Sequence, residues 1–277
     1  MKNWFRIGLT KTTIAGTLLL IALAVVLHGD TPPDPIGQRF HYETSFDHTG
    51  YLSDTPHWGS QVPQHKSYPD ARRVSLKLEE EDGPSTPGGT LAGLLNARKS
   101  VRSYADRPVS FEQLSRLLLS ANGATRVAGG SARRTAPSAG ALYPIDVYVV
   151  AKDVTDLSPG LYYFNVADSA LLQIQARDVS ATLSAAAPSQ PWVGPAPATL
   201  ILASRFDRVT TKYADRGYRY AYIECGAICQ NIYLQATALG LGTVAVGAFN
   251  DVALNDLLEA DGVREAGLLI MPIGVQR

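Results

Sequence analysis

Arg133-Arg134-Thr135-Ala136-Pro137-Ser138-Ala139-Gly140-Ala141-Leu142-Tyr143-Pro144 runs almost directly into a mostly apolar segment, residues 147–151. The loop carries two arginines, two aliphatic hydroxyls, a glycine and two prolines. Polar groups held by rigid turns at the entrance to a strand have the character of a ligand rim. An ordinary surface turn is the competing reading, and the loop alone leaves the ligand open.

Working outward, residues 161–165 and 171–174 are further strand candidates, and 179–187 is a helix of small residues. Residues 198–203 form a nearly continuous apolar run of strand length, suited to burial on both faces. The longest helical signal covers 213–239. Ala221, Cys225, Ile228, Ile232, Gln235 and Leu239 recur at steps of three and four, and the opposite face (Ala227, Leu234, Ala238) is nearly as apolar. Such a helix is central or lies at a subunit interface. Gly240-Leu241-Gly242 stops it, followed by a short strand at 244–246, a helix at 252–258 and a last strand at 268–273. On the upstream side, Ser110 caps a helix with Gln113 at the capping-box position. Phe111, Leu114, Leu117, Leu118 and Ala121 form its apolar face, and Asn122-Gly123 ends it. Residues 91–97 predict a short apolar helix, and 74–78 alternate like an edge strand. Helices and strands interleave without a strict βαβ repeat, which favours an α+β sandwich with helices around a mainly antiparallel sheet.

Composition narrows the function classes. A hydrophobic content of 45% with 18% charged residues suits a globular core. A formal net charge of +0 argues against nucleic acid as a main partner. Cys225 and Cys229 are too few for a disulfide framework and read as small buried hydrophobes. All five histidines lie at or before His65. A Ser-His or Cys-His pair, or a histidine-rich metal site, then requires the N-terminal extension to fold back over the core. No metal site is expected.

Lys2, Arg6 and Lys11 precede an uncharged, mostly apolar run at 12–27. That pattern predicts an uncleaved membrane anchor with the N-terminus inside and the domain outside; a cleaved secretory signal is the alternative. Residues 30–37 form a stiff Pro/Asp tether, 39–68 an ordered extension lying on the domain, and 79–89 an acidic linker. The expected organisation is therefore 1–29 as anchor or signal, 30–89 as tether and extension, and 90–277 as the main domain.

Three stretches carry candidate chemistry. Arg98-x-Ser100-x-Arg102 puts two cations and a hydroxyl at alternating positions, a fork suited to a phosphate or other anion, with a solvated basic turn as the bland reading. Gly240-Leu241-Gly242 follows a helix instead of a strand, so it is not a dinucleotide fingerprint. Gly247-Ala248 would let a flat ligand approach the backbone, or simply form a turn. Lys212 and Tyr213, within a run of four cations and three tyrosines at 208–220, offer proton-transfer groups or a helix start whose rings pack on the core.

Taken together these pieces resemble the nitroreductase superfamily of flavin enzymes, and within it the SagB/ThcOx-type dehydrogenases, which include peptide azoline oxidases. The resemblance rests on residues 98–104, 134–144, Pro159-Gly160-Leu161-Tyr162-Tyr163-Phe164, 212–220, 230–236 with 239–242, and Pro272-Ile273-Gly274. His41-Tyr42-Glu43-Thr44 and Lys66-Ser67-Tyr68-Pro69 resemble the subfamily's N-terminal extension. The resemblance implies a three-layer α+β homodimer with two FMN sites at the subunit interface. It implies that Arg98, Ser100 and Arg102 hold the phosphate and pyrimidine edge, and that Gly247 and Ala248 lie near flavin N5. Pro137, Ser138 and Gly140 of the partner subunit would face the ring. Lys212 and Tyr213 would act as the proton-transfer pair. The substrate would be a small molecule or peptide, either an azoline-containing peptide or a nitro- or quinone-type acceptor. A non-catalytic flavin-binding relative is the alternative. Because the chain ends at Arg277, the phosphate grip would be completed by Arg277, Arg133 or Arg134.

Overall fold

A computed structural model describes residues 40, 62–77, 90–128 and 131–277, and the elements below all belong to one compact unit, residues 54–277. The apolar run at 12–27, the tether at 30–37 and the linker at 79–89 lie outside the described residues. No helix among the described residues is long and apolar enough to cross a membrane.

In chain order the elements are β1 (Arg72–Ser75), α1 (Leu91–Ala97), β2 (Val109–Ser110), α2 (Phe111–Asn122), β3 (Ala124–Ala128), β4 (Ser131–Arg134), a 3-10 turn (Ala139–Ala141), β5 (Ile145–Ala151), β6 (Val154–Thr155), β7 (Gly160–Asn165), β8 (Ala170–Gln175), α3 (Ser180–Ala186), β9 (Ala198–Arg205), α4 (Asp207–Tyr213), α5 (Arg216–Ala238), β10 (Leu241–Thr243), α6 (Asp251–Leu258) and β11 (Glu265–Val275). Seven strands form one sheet in the order β1-β8-β7-β5-β9-β11-β10. Every neighbouring pair in it is antiparallel.

β5 shows why this is a three-layer sandwich. All seven of its residues are buried. Alternate side chains face opposite ways, so Val147, Val149 and Ala151 join one core with Leu114, Leu118, Ile228 and Ile232 of α2 and α5. Tyr148 and Val150 join the other, with Leu183 of α3 and Leu254 and Leu257 of α6. The capping box at Ser110 and Gln113 forms in both directions, and Gly123 ends α2. The described residues 62–77 pack on the sheet. β1 adds an edge strand to the sheet, Lys66 ion-pairs with Glu265, and Lys66 Nζ donates to Tyr148 Oη at 2.6 Å.

Three expectations need correction. The opening stretch, read as loop from Arg133, begins inside a strand: Arg133 and Arg134 end β4 of the β3–β4 hairpin, and Gly129-Gly130 between two short runs was the overlooked turn signal. The helix read from Tyr213 is two helices. Ala214, at φ 45°, ends α4 by donating its N–H to Thr210 O at 2.8 Å. Gly217 then lets α5 pack on α4, since a Cβ there would stand 2.9 Å from Thr210 N. No proline marks this break, so periodicity runs straight through it. Finally, the strand after α5 is β10 at 241–243, and Val246 makes only an isolated bridge to Ile270.

Candidate active site

Two groups of side chains stand out. The first gathers at the β10–β11 end of the sheet. Past α1 the chain runs extended along that end, with Val101 N donating to Thr243 O at 2.8 Å and Ala105 N to Val275 O at 2.9 Å. Close approach fixes this path: a Cβ on Gly242 would stand 2.5 Å from Val101 Cγ1, and one on Gly274 2.5 Å from the Tyr104 ring. Gly242 is therefore a packing glycine, and Gly240, at φ 67°, turns the chain out of α5. Tyr233, 8% exposed near the end of α5, is the hub. Its hydroxyl lies 3.0 Å from Ser100 Oγ and accepts from Ala245 N at 2.8 Å. Its ring lies 5.1 Å from the Arg98 guanidinium, while Arg102 stacks at 5.3 Å on Trp192. Tyr233 belongs to the α2/α5 core and Trp192 packs on the α3/α6 core, so rings from opposite layers hold the two arginines. Gly247 and Ala248 are exposed just beyond Ala245, and a Cβ on Gly247 would meet nothing within 4 Å among the described residues. Tyr233→Phe removes the shared oxygen. It should lower stability by about 1 kcal/mol and speed amide exchange at Ala245, read by chemical denaturation and NMR.

The second group surrounds the opening loop. Gly140, Ala141 and Tyr143 all take positive φ, at 61°, 54° and 49°. Two of these are not glycine, so the backbone is strained and must be held by its surroundings. Tyr143 N donates to Ser138 Oγ at 2.8 Å and Gln64 Nε2 to Ala141 O at 2.9 Å. Arg134 stacks on the Tyr143 ring at 4.4 Å, and Arg208 Nη1 donates to Tyr143 O at 3.2 Å. A Cβ on Gly140 would stand 2.8 Å from Tyr213 Oη and 2.9 Å from Lys212 Nζ. The loop thus meets the Lys212-Tyr213 pair within one chain. Tyr213 in turn packs edge-on against Tyr220 at 4.9 Å. Pro137 is exposed beside Ser138 and Gly140. Of the side chains considered for the phosphate grip, Arg134 is buried behind the loop and braces it, so it is no surface ligand. Arg277 Nε donates to Tyr104 O at 2.7 Å, next to Arg102 and Ser103.

The Nitroreductase family matches residues 95–275, a span that takes in both groups. The chain belongs to the nitroreductase family. It is 40% identical over 184 residues to a Methanocaldococcus jannaschii protein assigned by name to the nitroreductases, covering 66% of this chain and 90% of that one. It is 27% identical over 150 residues to the microcin B17-processing protein McbC of Escherichia coli, covering 52% and 55%. A nitroreductase structure from Anabaena variabilis superimposes with a TM-score of 0.71 at 30% identity, over 86% of this chain and 46% of that chain. The chain therefore spans only about half the length of two of these relatives. The match to McbC agrees with the resemblance to the SagB/ThcOx-type branch.

Nitroreductases are flavin enzymes as a family, and the first group fits such a ligand. It offers two guanidiniums and a hydroxyl for an anion, beside open backbone at Gly247 for a flat ring. Sequence reasoning missed the charges that this nitroreductase buries behind its second group. Arg208 Nη1 and Asp146 Oδ1 pair at 2.8 Å with side chains 1% and 3% exposed. Glu224 on α5 is 2% exposed, and neither of its carboxylate oxygens has a hydrogen-bond partner among the described residues. Burial pushes its carboxyl up to about 7, against the pull of the Ser138 hydroxyl, Arg134, the Ile145 amide and Arg208. Those neighbours are near enough to bias the carboxyl without satisfying it. His65 is held towards its neutral form by burial and then by Arg134 and Arg208. Cys225 is buried and Cys229 half-buried, and both are free thiols. Burial raises both of their pKa values, to about 12 and about 11, so they are unreactive packing groups.

Proposed function

We propose that this chain is an FMN-dependent oxidoreductase of the SagB/ThcOx type, working as a homodimer, that exchanges a hydride between flavin and an organic substrate. The observation that carries this reading is the placement of the two groups along α5. Tyr220, against which Tyr213 packs, and Tyr233, which holds Ser100, are separated by about 20 Å of helix at about 1.5 Å per residue. That is longer than a flavin ring, which supports a site shared between two copies of the chain. A second copy related by a twofold axis brings the far end of its own α5 to the first group. Exposed apolar side chains support such a partner: Leu91 and Leu95 on α1 and Tyr222 and Ile223 on α5 are 64%, 50%, 49% and 68% exposed.

In this reading Arg98, Ser100 and Arg102 bind the phosphate and the pyrimidine edge, and Gly247 and Ala248 admit the ring against the backbone. Pro137, Ser138 and Gly140 wall its other side from the second copy. When bound, the flavin supplies the two-electron chemistry. Lys212 Nζ and Tyr213 Oη stand where a proton is taken from or given to the substrate. The similarity to a microcin-processing protein favours a peptide substrate over a small nitro or quinone acceptor.

The purified full chain should carry or take up FMN, seen as oxidised-flavin bands in the visible spectrum; failure to bind FMN at any concentration tested would refute the reading. Lys212→Ala should keep those bands while turnover falls by about 100-fold or more. Unchanged turnover would remove Lys212 from the proton-transfer role.

A further inference from the structure

The strained loop leans on a segment that the proposed chemistry leaves out. Residues 62–68 precede β1 and are tied to the sheet downstream of Gln64. Lys66 N donates to Tyr163 Oη at 3.2 Å, and Lys66 Nζ donates to Tyr148 Oη and ion-pairs with Glu265. The Tyr68 ring packs on the Tyr163 ring at 5.3 Å, and Ala71 N donates to Tyr68 O just before β1 joins the sheet. The segment is thus a strap fixed on the α3/α6 side. Its other end reaches the loop. Gln64, half-buried, donates its Nε2 to Ala141 O at 2.9 Å. Pro63 O shares the Arg208 guanidinium with Tyr143 O. Ala141 and Tyr143 are the two loop residues that carry a Cβ at positive φ. Bonds inside the loop close its turns: Ala141 N returns to Ser138 O, Leu142 N to Ala139 O and Tyr143 N to Ser138 Oγ. The strained carbonyls are met from outside, by the strap and by the arginine that the strap shares.

We propose that Gln64 is a positioning residue for the site: through its hydrogen bond to Ala141 O, the N-terminal strap holds Gly140 in place beside Lys212 and Tyr213. The lever is short. Gly140 directly precedes Ala141, and a Cβ on it would stand 2.8 Å from Tyr213 Oη and 2.9 Å from Lys212 Nζ. Any turn of Ala141 out of its left-handed pose swings the neighbouring peptide, and Gly140 moves relative to that pair. A strained backbone keeps its pose only while its surroundings over-determine it. The carbonyl needs a donor, which the Gln64 amide supplies. An apolar side chain of the same reach would fill the space and leave the carbonyl unmet. The strap grips the loop at two points, Gln64 on Ala141 directly and Pro63 on Tyr143 by way of Arg208. Removing Arg208 also unpairs the buried Asp146 carboxylate, whereas removing the Gln64 amide disturbs no ion pair. Gln64 is therefore the point at which the grip can be tested cleanly.

The consequence for flavin rests on the function proposed above, whereas the loop itself can be read without flavin. Gln64→Met keeps the reach of the side chain and removes the donor. In the full chain without FMN, the amides of Ala141, Leu142 and Tyr143 should exchange about fivefold faster than in the wild type, the effect of one lost hydrogen bond. The nuclear Overhauser contact between Gly140 and the Tyr213 ring should weaken in the same variant. Ser67→Ala, at an exposed position on the same strap, should match the wild type in both readings. With FMN at saturation, the visible circular dichroism of the bound flavin should differ between Gln64→Met and the wild type, because at saturation that signal follows the geometry around the ring and not the affinity. Unchanged exchange at the three amides overturns the proposal. Faster exchange with an unchanged Gly140–Tyr213 contact also overturns it, since Gln64 then stabilises the loop without placing it. The same changes in Ser67→Ala would overturn it too, by assigning them to the strap as a whole. If FMN binds the wild type at no concentration, the flavin reading fails, and the exchange and contact measurements still decide the role of Gln64.

Discussion

A mixture of two inactive variants, Arg102→Ala and Lys212→Ala, is expected to regain about a quarter of wild-type turnover when equal amounts are co-folded. The reasoning is geometric. If each site takes its anion fork from one subunit and its proton-transfer pair from the other, each homodimer of either variant has two broken sites. Random pairing makes half of the dimers mixed. In a mixed dimer, one site receives both lesions and the other receives none. Half of the dimers with half of their sites intact gives about 25%. A site built within one chain predicts a different number, near zero, because every chain then carries a lesion. Subunits that fold separately and are mixed without exchange should likewise stay inactive, which serves as the control. The result discriminates sharply because each lesion alone should be severe. Arg102 would neutralise charge that builds up on the flavin, and Lys212 would move a proton. The distance along α5 makes the shared site the expected outcome.

How much of this was legible beforehand depends on the range of the interactions. The Ser110–Gln113 capping box is written within four residues and could be read directly. The strands β5, β7, β8 and β9 and the apolar faces of α2 and α5 were equally legible, because periodicity reports burial. The loop and the Arg98-x-Ser100-x-Arg102 fork were recognisable as local chemistry. Their supports were not. Tyr233 meets Ser100 across 133 residues, and Arg208 meets Asp146 across 62. No local pattern encodes such pairs. The break at Ala214 escaped because positive φ at an alanine has no sequence marker. Glu224 did leave a trace: an acid at a three-residue step from Ala221, inside a buried stripe, is an anomaly that periodicity analysis can flag. Asp146 left a similar one, at the head of an otherwise apolar strand and on the same side as Tyr148. In the fold both are buried charges, Glu224 at 2% and Asp146 at 4% exposed.

The largest stability effect should come from that second anomaly. Arg208→Met is expected to destabilise the fold by about 3–5 kcal/mol, measured by chemical denaturation at neutral pH. Asp146 is already poorly served. Its Oδ1 accepts from Arg208 and from Tyr163 Oη at 3.1 Å, and its Oδ2 is buried with no partner among the described residues. Without Arg208, a carboxylate 4% exposed keeps one phenol and loses its counter-charge. An uncompensated buried charge of this kind is far worse than the absence of the pair. The double variant Arg208→Met with Asp146→Leu should therefore be more stable than Arg208→Met alone, although it carries one more substitution. It should not recover fully. Arg208 Nε also donates to Pro63 O at 2.9 Å and Nη1 to Tyr143 O, and both carbonyls would lose a charged donor. The cycle thus separates two roles of one guanidinium. The part restored in the double variant measures compensation of Asp146. The part left over measures the clamp that fastens residue 63 and the strained Tyr143 to the same point. If the two single effects simply add, the ion pair is not coupled and the clamp alone explains why Arg208 is buried. If the double variant recovers as expected, the residual loss should appear at the loop, as faster amide exchange at 138–143 and weaker FMN binding, while the sheet core keeps its protection.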